Sequence, residues 1–313
     1  MGLALVLFLV EHLLVNSQAA LLLGEDGRGF VEMVNAIHNL PYLQALEIAL
    51  LGVPILIHAA LGVNYLFTAR SNSRRSDGSR PALPEYGRNH AYTWQRITSW
   101  ILLAGLAWHI VHLRFLDYPR TVREAGVPRY VVKISMDQGL YTLAPRLGVR
   151  LFDQQLLEQE RAALDARAAE RALLEVAEAV RLQNGNAFDP QQAELLQLAQ
   201  TLQGQINWVE ILSRERLAPG EVLAVADTFG SASLLVVRDT FKNPFYVGLY
   251  TLFVLAACFH AFNGLWTFLI TWGAILKMSA QRTMVGVCTA VMLLMAFLGL
   301  AAVWGTYWLN LTD

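Results

Sequence analysis

Phe259-His260-Ala261-Phe262-Asn263-Gly264-Leu265-Trp266 lies inside a long apolar segment that ends near Gly273. An imidazole in the middle of such a segment is costly unless it faces a bundle interior and binds something. Three other apolar segments carry a histidine at comparable depth: His12 in the first, His58 in the second and His109 in the third. Four such residues on four segments make two pairs, and the fold follows from asking what encloses them.

Of 313 residues, 55% are hydrophobic and only 16% are charged, which argues for a polytopic membrane protein over a soluble globular one. The formal net charge of −1 leaves no basic field for nucleic acid. Cys258 and Cys288 both sit in apolar segments without CxxC spacing. They read as inert buried thiols, with no iron–sulfur ligand set, c-type haem attachment or disulfide framework.

A bilayer core takes roughly 20 apolar residues of helix, and five segments meet that length. They run from about Gly2 to Leu23, Leu43 to Phe67, Ile97 to Leu116, Phe245 to Leu276 and Thr283 to Leu309. The first lacks a basic n-region and carries Glu11-His12 at its centre, unlike a signal peptide. Pro244 suits the first turn of the fourth helix, and Pro54 is expected to kink the second one turn before His58. The 70–96 connection holds Arg70, Arg74, Arg75, Arg80, Arg88 and Arg96 against Asp77 and Glu85, and the 277–282 connection holds Lys277 and Arg282. The first loop is acidic, with Glu25, Asp26 and Glu32 against Arg28. By the positive-inside rule the N-terminus is cytoplasmic and the C-terminus outside.

The expected organisation is therefore an all-α, five-helix membrane bundle: helices one to three in 1-117, an extracytoplasmic insertion in 118-243, and helices four and five in 244-313. The insertion is too long for a bundle loop. Leu156, Leu157, Leu164, Leu173, Val176 and Val180 mark one helical stripe, and Leu195, Leu198, Leu202, Ile206 and Val209 a second. Asn184-Gly185-Asn186 breaks between them, and Asp189-Pro190 reads as a cap followed by a first-turn proline, so a helical hairpin is expected. Trp208 and an exposed face could dock a partner; a self-packed hairpin is the simpler reading.

Depth then pairs the histidines. At 1.5 Å per residue His12 lies roughly 16 Å, and His109 roughly 10–12 Å, from the outer ends of their helices. His58 lies roughly 14 Å from the cytoplasmic end of its helix, and His260 is roughly 20 Å in from the outside. The pairs by depth are His12 with His109 and His58 with His260. Haem suits them, because bis-imidazole iron serves one-electron transfer and the ring needs an apolar slot. Ala59, Ala60, Gly62, Ala261 and Gly264 leave room for one. Zinc would want further ligands at one depth. The bland alternative is four separate packing histidines. His112 is a second candidate one turn beyond His109, His90 reads as a solvated loop residue, and His38 sits at the outer interface, where a quinone head group could use a proton donor.

These stretches resemble the cytochrome b558 membrane anchors of the succinate dehydrogenase/fumarate reductase superfamily, in the class with a single anchor and two haems. The similarity is carried by Glu11-His12-Leu13-Leu14-Val15-Asn16, Leu40-Pro41-Tyr42, Ala45-Leu46-Glu47-Ile48 and Pro54-Ile55-Leu56-Ile57-His58-Ala59. It continues in Gln95-Arg96-Ile97-Thr98, Trp108-His109, Phe259-His260, Asn263-Gly264-Leu265-Trp266 and Thr271-Trp272-Gly273. The resemblance implies that His12 and His109 ligate a distal haem b near the outer surface, and His58 and His260 a proximal haem b near the cytoplasmic subunits. Its Trp-His pair selects His109 over His112. It also implies a multi-pass protein of the cytoplasmic membrane, in contact with lipid and menaquinone. The implied partners are a flavoprotein with covalent FAD and an iron–sulfur subunit, as in respiratory complex II of the tricarboxylic acid cycle. Dicarboxylate chemistry would then lie on another subunit, and no residue here would be catalytic.

Three departures stand out. The family carries a cytoplasmic arm before helix one, whereas this chain starts inside that helix; either the start lies upstream or the arm's contacts are supplied elsewhere. The outer insertion has no counterpart, and Glu11 replaces a neutral residue. On this resemblance electrons pass from succinate to quinone; run backward, the same parts make a quinol:fumarate reductase. Other readings are the cytochrome of a formate dehydrogenase, hydrogenase or nitrate reductase, and a haem-free anchor or transporter. The quinone residues stay open among Glu32, His38, Glu47 and Asp117.

Overall fold

The computed structural model describes residues 1–21, 25–68, 73, 84–124, 126–163, 172, 175 and 190–312. The chain divides into two compact units, Met1–Leu116 with Val237–Asp313, and Asp117–Val236.

In the first unit four helices are long and apolar enough to cross a bilayer: Leu43–Tyr65, Gly87–Leu116, Pro244–Thr271 and Met278–Leu311. The N-terminal helix, α1 (Gly2–Ser17), is apolar but has only 16 residues, short of the expected run to Leu23. Its end has a local cause. The Ser17 hydroxyl and the Gln18 amide both donate to the Leu14 carbonyl, at 2.8 and 3.3 Å, and so compete with continued helix. An amphipathic helix, α2 (Arg28–His38), follows, and then α3 (Leu43–Tyr65) and α4 (Gly87–Leu116). The expected kink at Pro54 takes the form of a π-helical turn over Ile48–Gly52, just ahead of the proline. That turn accommodates the ring, which cannot donate to the carbonyl four residues back.

The second unit is not helical throughout. Strands β1 (Arg120–Glu124), β2 (Val127–Ser135), β3 (Val149–Phe152) and β4 (Glu221–Ala226) form an antiparallel sheet in the order β1-β2-β4-β3. Helix α5 (Gln138–Arg146) lies between β2 and β3 in the chain, and α6 (Pro190–Ser213) between β3 and β4. The all-α expectation is corrected here by the sheet; of the expected hairpin, the described residues show helix at 154–163 and in α6, and the rest of the first arm and the turn lie outside them. The run Glu221-Val222-Leu223-Ala224-Val225-Ala226 is a central strand, with Leu223 to Ala226 wholly buried. A strand covered on both faces is an unbroken apolar run without alternation, which period alone does not distinguish from buried helix. Of the expected stripes, α6 carries the second, and its Ile206 and Val209 are buried. Leu164, Leu173, Val176, Val180, Asn184-Gly185-Asn186 and Asp189 lie outside the described residues. Trp208 does not offer itself to a partner: it is 6% exposed, packed with Leu212, Leu223 and Val225.

Helix α7 (Phe229–Thr240) leads back toward the first unit. There α8 (Pro244–Thr271) starts with Pro244 in its first turn, capped by Asn243, whose Oδ1 accepts from the Phe245 N–H at 2.9 Å. It ends at Gly273, whose φ of +72° lets the chain turn in the left-handed region. Helix α9 (Met278–Leu311) completes the unit. Helix α8 is its centre. In its most apolar window 39% of residues are buried, against 6% for α3 and for α4. Small residues set the close approaches: a Cβ on Gly105 of α4 would lie 2.5 Å from the Phe253 ring, and one on Gly299 of α9 would lie 2.6 Å from Val254.

Candidate functional site

The four histidines converge as two pairs. His12 of α1 and His109 of α4 have ring centroids 5.8 Å apart, with planes at 89°. His58 of α3 and His260 of α8 are 6.1 Å apart, at 88°. Two imidazoles that each bond one metal at about 2 Å, with ring centres about 1 Å behind the bonding nitrogen, have centroids roughly 6 Å apart. Both pairs fit that spacing. Among the described residues no three His, Cys, Asp or Glu side chains converge. Each pair could thus supply two nitrogen donors, the number that a metal held in a macrocycle leaves open.

The levels of the two pairs can be read on three helices. On α1, a Cβ on Gly2 would lie 3.9 Å from the His58 ring, ten residues before His12. On α8, Tyr250 touches His109 and stands ten residues before His260. On α4, Thr98 lies beside His260, eleven residues before His109. Each gives a separation of about 15 Å along the helix axis, half of a hydrocarbon core about 30 Å thick. The sparse burial of α3 and α4 leaves faces for a flat ring, and among the described residues nothing lies within 4 Å of where a Cβ on Gly62 would stand.

The pairs differ in what holds their second ring nitrogens. His260 Nδ1 lies 3.2 Å from the Gln95 carbonyl oxygen. A carbonyl only accepts, so Nδ1 carries the proton and Nε2 is the free lone pair. His109 Nδ1 meets the Tyr250 hydroxyl at 3.3 Å. His12 is joined by Asn16, whose amide approaches its ring nitrogens at 3.4 and 3.5 Å and donates to the His12 carbonyl at 2.8 Å.

The other candidates fall outside these pairs. His112 lies beside both Trp108 and Tyr246, with near-parallel rings and centroids 5.4 and 4.9 Å away. His90 lies on the surface, 2.7 Å from the Pro84 carbonyl. Glu11 is exposed. Arg88 donates to Gln281 at 2.8 Å and lies over Trp266, and Arg96 lies over Tyr92. Arg70, Arg74, Arg75 and Arg80 are outside the described residues. His38 is drawn into a cluster with Glu47, already a candidate, and Arg114, which sequence reading missed. Glu47 accepts from Arg114 at 2.7 Å. His38 lies close enough to both that, after partial burial, the Arg114 charge pushes its imidazole below the usual range. Arg114 escaped notice because a lone arginine at a helix end reads as an interface anchor. Tyr250 went unremarked as an ordinary helix residue, and Asn16 figured only within the stretch that carries the resemblance.

The first unit thus combines four helices long and apolar enough to cross a membrane with two histidine pairs whose spacing would suit a shared metal. The chain is similar to the succinate dehydrogenase cytochrome b558 subunit of Bacillus subtilis (strain 168), at 32% identity over 108 residues. The match covers 34% of this chain and 48% of that subunit, so the chain spans about half the length of the curated relative it matches. No family model matches the chain. No solved structure matches it.

Proposed function

We propose that this chain is the dihaem cytochrome b membrane anchor of a succinate:menaquinone oxidoreductase. The observation that carries the reading is the double convergence of His12 with His109 and His58 with His260 at metal-sharing distances. The similarity to a succinate dehydrogenase cytochrome b558 subunit supports the choice of complex. In this reading the partners are an FAD-carrying flavoprotein and an iron–sulfur subunit on the cytoplasmic side. The basic connections orient the bundle, with the N-terminus cytoplasmic and the His58–His260 level nearer those partners.

Haem b, when bound, supplies one-electron redox centres that a polypeptide lacks. The chain's residues do the rest. His260 through Nε2, with His12, His58 and His109, would hold the iron. The Gln95 carbonyl holds the His260 proton on Nδ1, and the Tyr250 hydroxyl orients His109. Phe253 and Leu13 surround the second level with apolar groups. Quinone would react near the His12–His109 level. The test is reduction by succinate in membranes carrying the full complex. A b-type spectrum that reduces with succinate and reoxidises with a menaquinone analogue supports the assignment; one inert to succinate contradicts it.

A further inference from the structure

We infer that Gln95 is a positioning residue for the His58–His260 centre, the end of a hydrogen-bond chain that fixes how His260 presents its ring. The inference rests on reading that pair as axial ligands.

Gln95 of α4 meets His260 of α8 twice. Its backbone carbonyl accepts from His260 Nδ1 at 3.2 Å, and its side-chain amide donates to the His260 carbonyl at 2.9 Å. The amide is itself held. Gln95 Oε1 accepts from Asn263 Nδ2 at 2.7 Å, and Asn263 Oδ1 accepts from Trp266 Nε1 at 3.0 Å. An indole N–H can only donate and a carbonyl can only accept. The chain Trp266 to Asn263 to Gln95 to His260 therefore has one polarity, with neither amide free to turn over. Gly264 admits it: a Cβ there would sit 3.4 Å from Gln95 Nε2. Buried Thr98 closes the site from below, its hydroxyl bound to the Trp94 and Gln95 carbonyls and 3.5 Å from His260 Nδ1.

Two contacts from one residue fix both the height of α8 against α4 and the rotation of the imidazole about its Nε2 axis. Outer partners of this kind set ring orientation and ligand basicity, and hence the potential of a bound iron. At the other level the His109 ring meets a tyrosine hydroxyl, a rotor that both donates and accepts, and among the described residues Gln95 makes no hydrogen bond there. Losing the Gln95 side chain should therefore alter one centre and spare the other.

The test uses the assembled complex, comparing wild type with Gln95→Leu and Trp266→Phe. Gln95→Leu keeps the backbone carbonyl but removes the clamp. Trp266→Phe keeps an aromatic ring and frees Asn263 to turn, so the perturbation is smaller. The readouts are the midpoint potential and the highest low-spin g value of each haem. The expected result is a shift in the His58–His260 haem alone, larger in Gln95→Leu. If Gln95→Leu fails to assemble, a smaller shift confined to that haem in Trp266→Phe carries the test. Unchanged values at that haem, or equal shifts at both, would overturn the positioning role while leaving the axial ligands standing. A wild-type complex without haem would overturn the ligand reading itself.

Discussion

The two units of this chain are held together by different means, and the difference decides what can be read from sequence. The bundle is apolar and closely approached through glycines, and its polar groups form short hydrogen-bonded sets among hydrophobic neighbours. The inserted unit rests on a sheet with a buried central strand and is edged by ion pairs. Glu124 accepts from Arg150 and Arg129, and Glu215 pairs with Arg120 and Lys133. A perturbation of one unit should therefore leave the chemistry of the other alone, and three experiments sharpen or break that contrast.

The largest effect is expected from Leu223→Asp. Leu223 is wholly buried in β4, and an unpaired carboxylate there should cost about 3–5 kcal/mol, enough to open the sheet. Hydrogen exchange across β2 and β4 should rise sharply while any haem spectrum persists. Loss of the spectrum as well would mean that the bundle depends on the insertion.

Gly105→Ala comes next and acts in the bundle. The new Cβ would stand 2.5 Å from the Phe253 ring, which itself abuts His109 at 5.8 Å between centroids. Overpacking of this kind costs about 1–3 kcal/mol. A lowered thermal midpoint is expected, with the spectrum changed at the His12–His109 level and the insertion's exchange unaltered.

Acid should produce the smallest effect, confined to the insertion. Partial burial pushes Glu124 up, but hydrogen bonds and charge from Arg150 and Arg129 outweigh it and hold the carboxyl below its usual range. Glu215 is held down in the same way by Arg120 and Lys133, against its own partial burial. A carboxylate whose folded pKa is depressed contributes stability above its unfolded value, near 4.5, and loses it as pH falls through the folded one. Exchange protection in β1 and β2 should thus hold from neutral pH to about 5 and weaken below that. Weakening that begins above pH 6 would point to other groups.

The contrast also accounts for what was legible. The histidines announced themselves because an ionisable residue in an apolar helix is expensive, so residue type alone marks it. Helical rise then matched His12 with His109 and His58 with His260, and the structure brings the same residues together. The holder of His260 was not legible as such. Its acceptor is the backbone oxygen of Gln95, an atom present at every residue. In the insertion, Leu-rich stretches carried a strong helical period, while β4 is six residues of unbroken burial with no period to read. Trp208, which could have docked a partner, instead fills the core beneath Arg150, in keeping with the simpler, self-packed reading. The first helix stops at Ser17 because Ser17 and Gln18 bond back to Leu14, a competition that hydropathy does not register.

The central claim is that the two histidine pairs are two separate haem sites. It is tested most directly by pyridine haemochrome assay and redox titration of the purified wild-type chain beside His260→Ala and His12→Ala. The account predicts two b-type haems per wild-type chain and one in each variant, with the two variants keeping different centres. A colourless wild-type protein, or a His260→Ala variant that retains both haems, would contradict it.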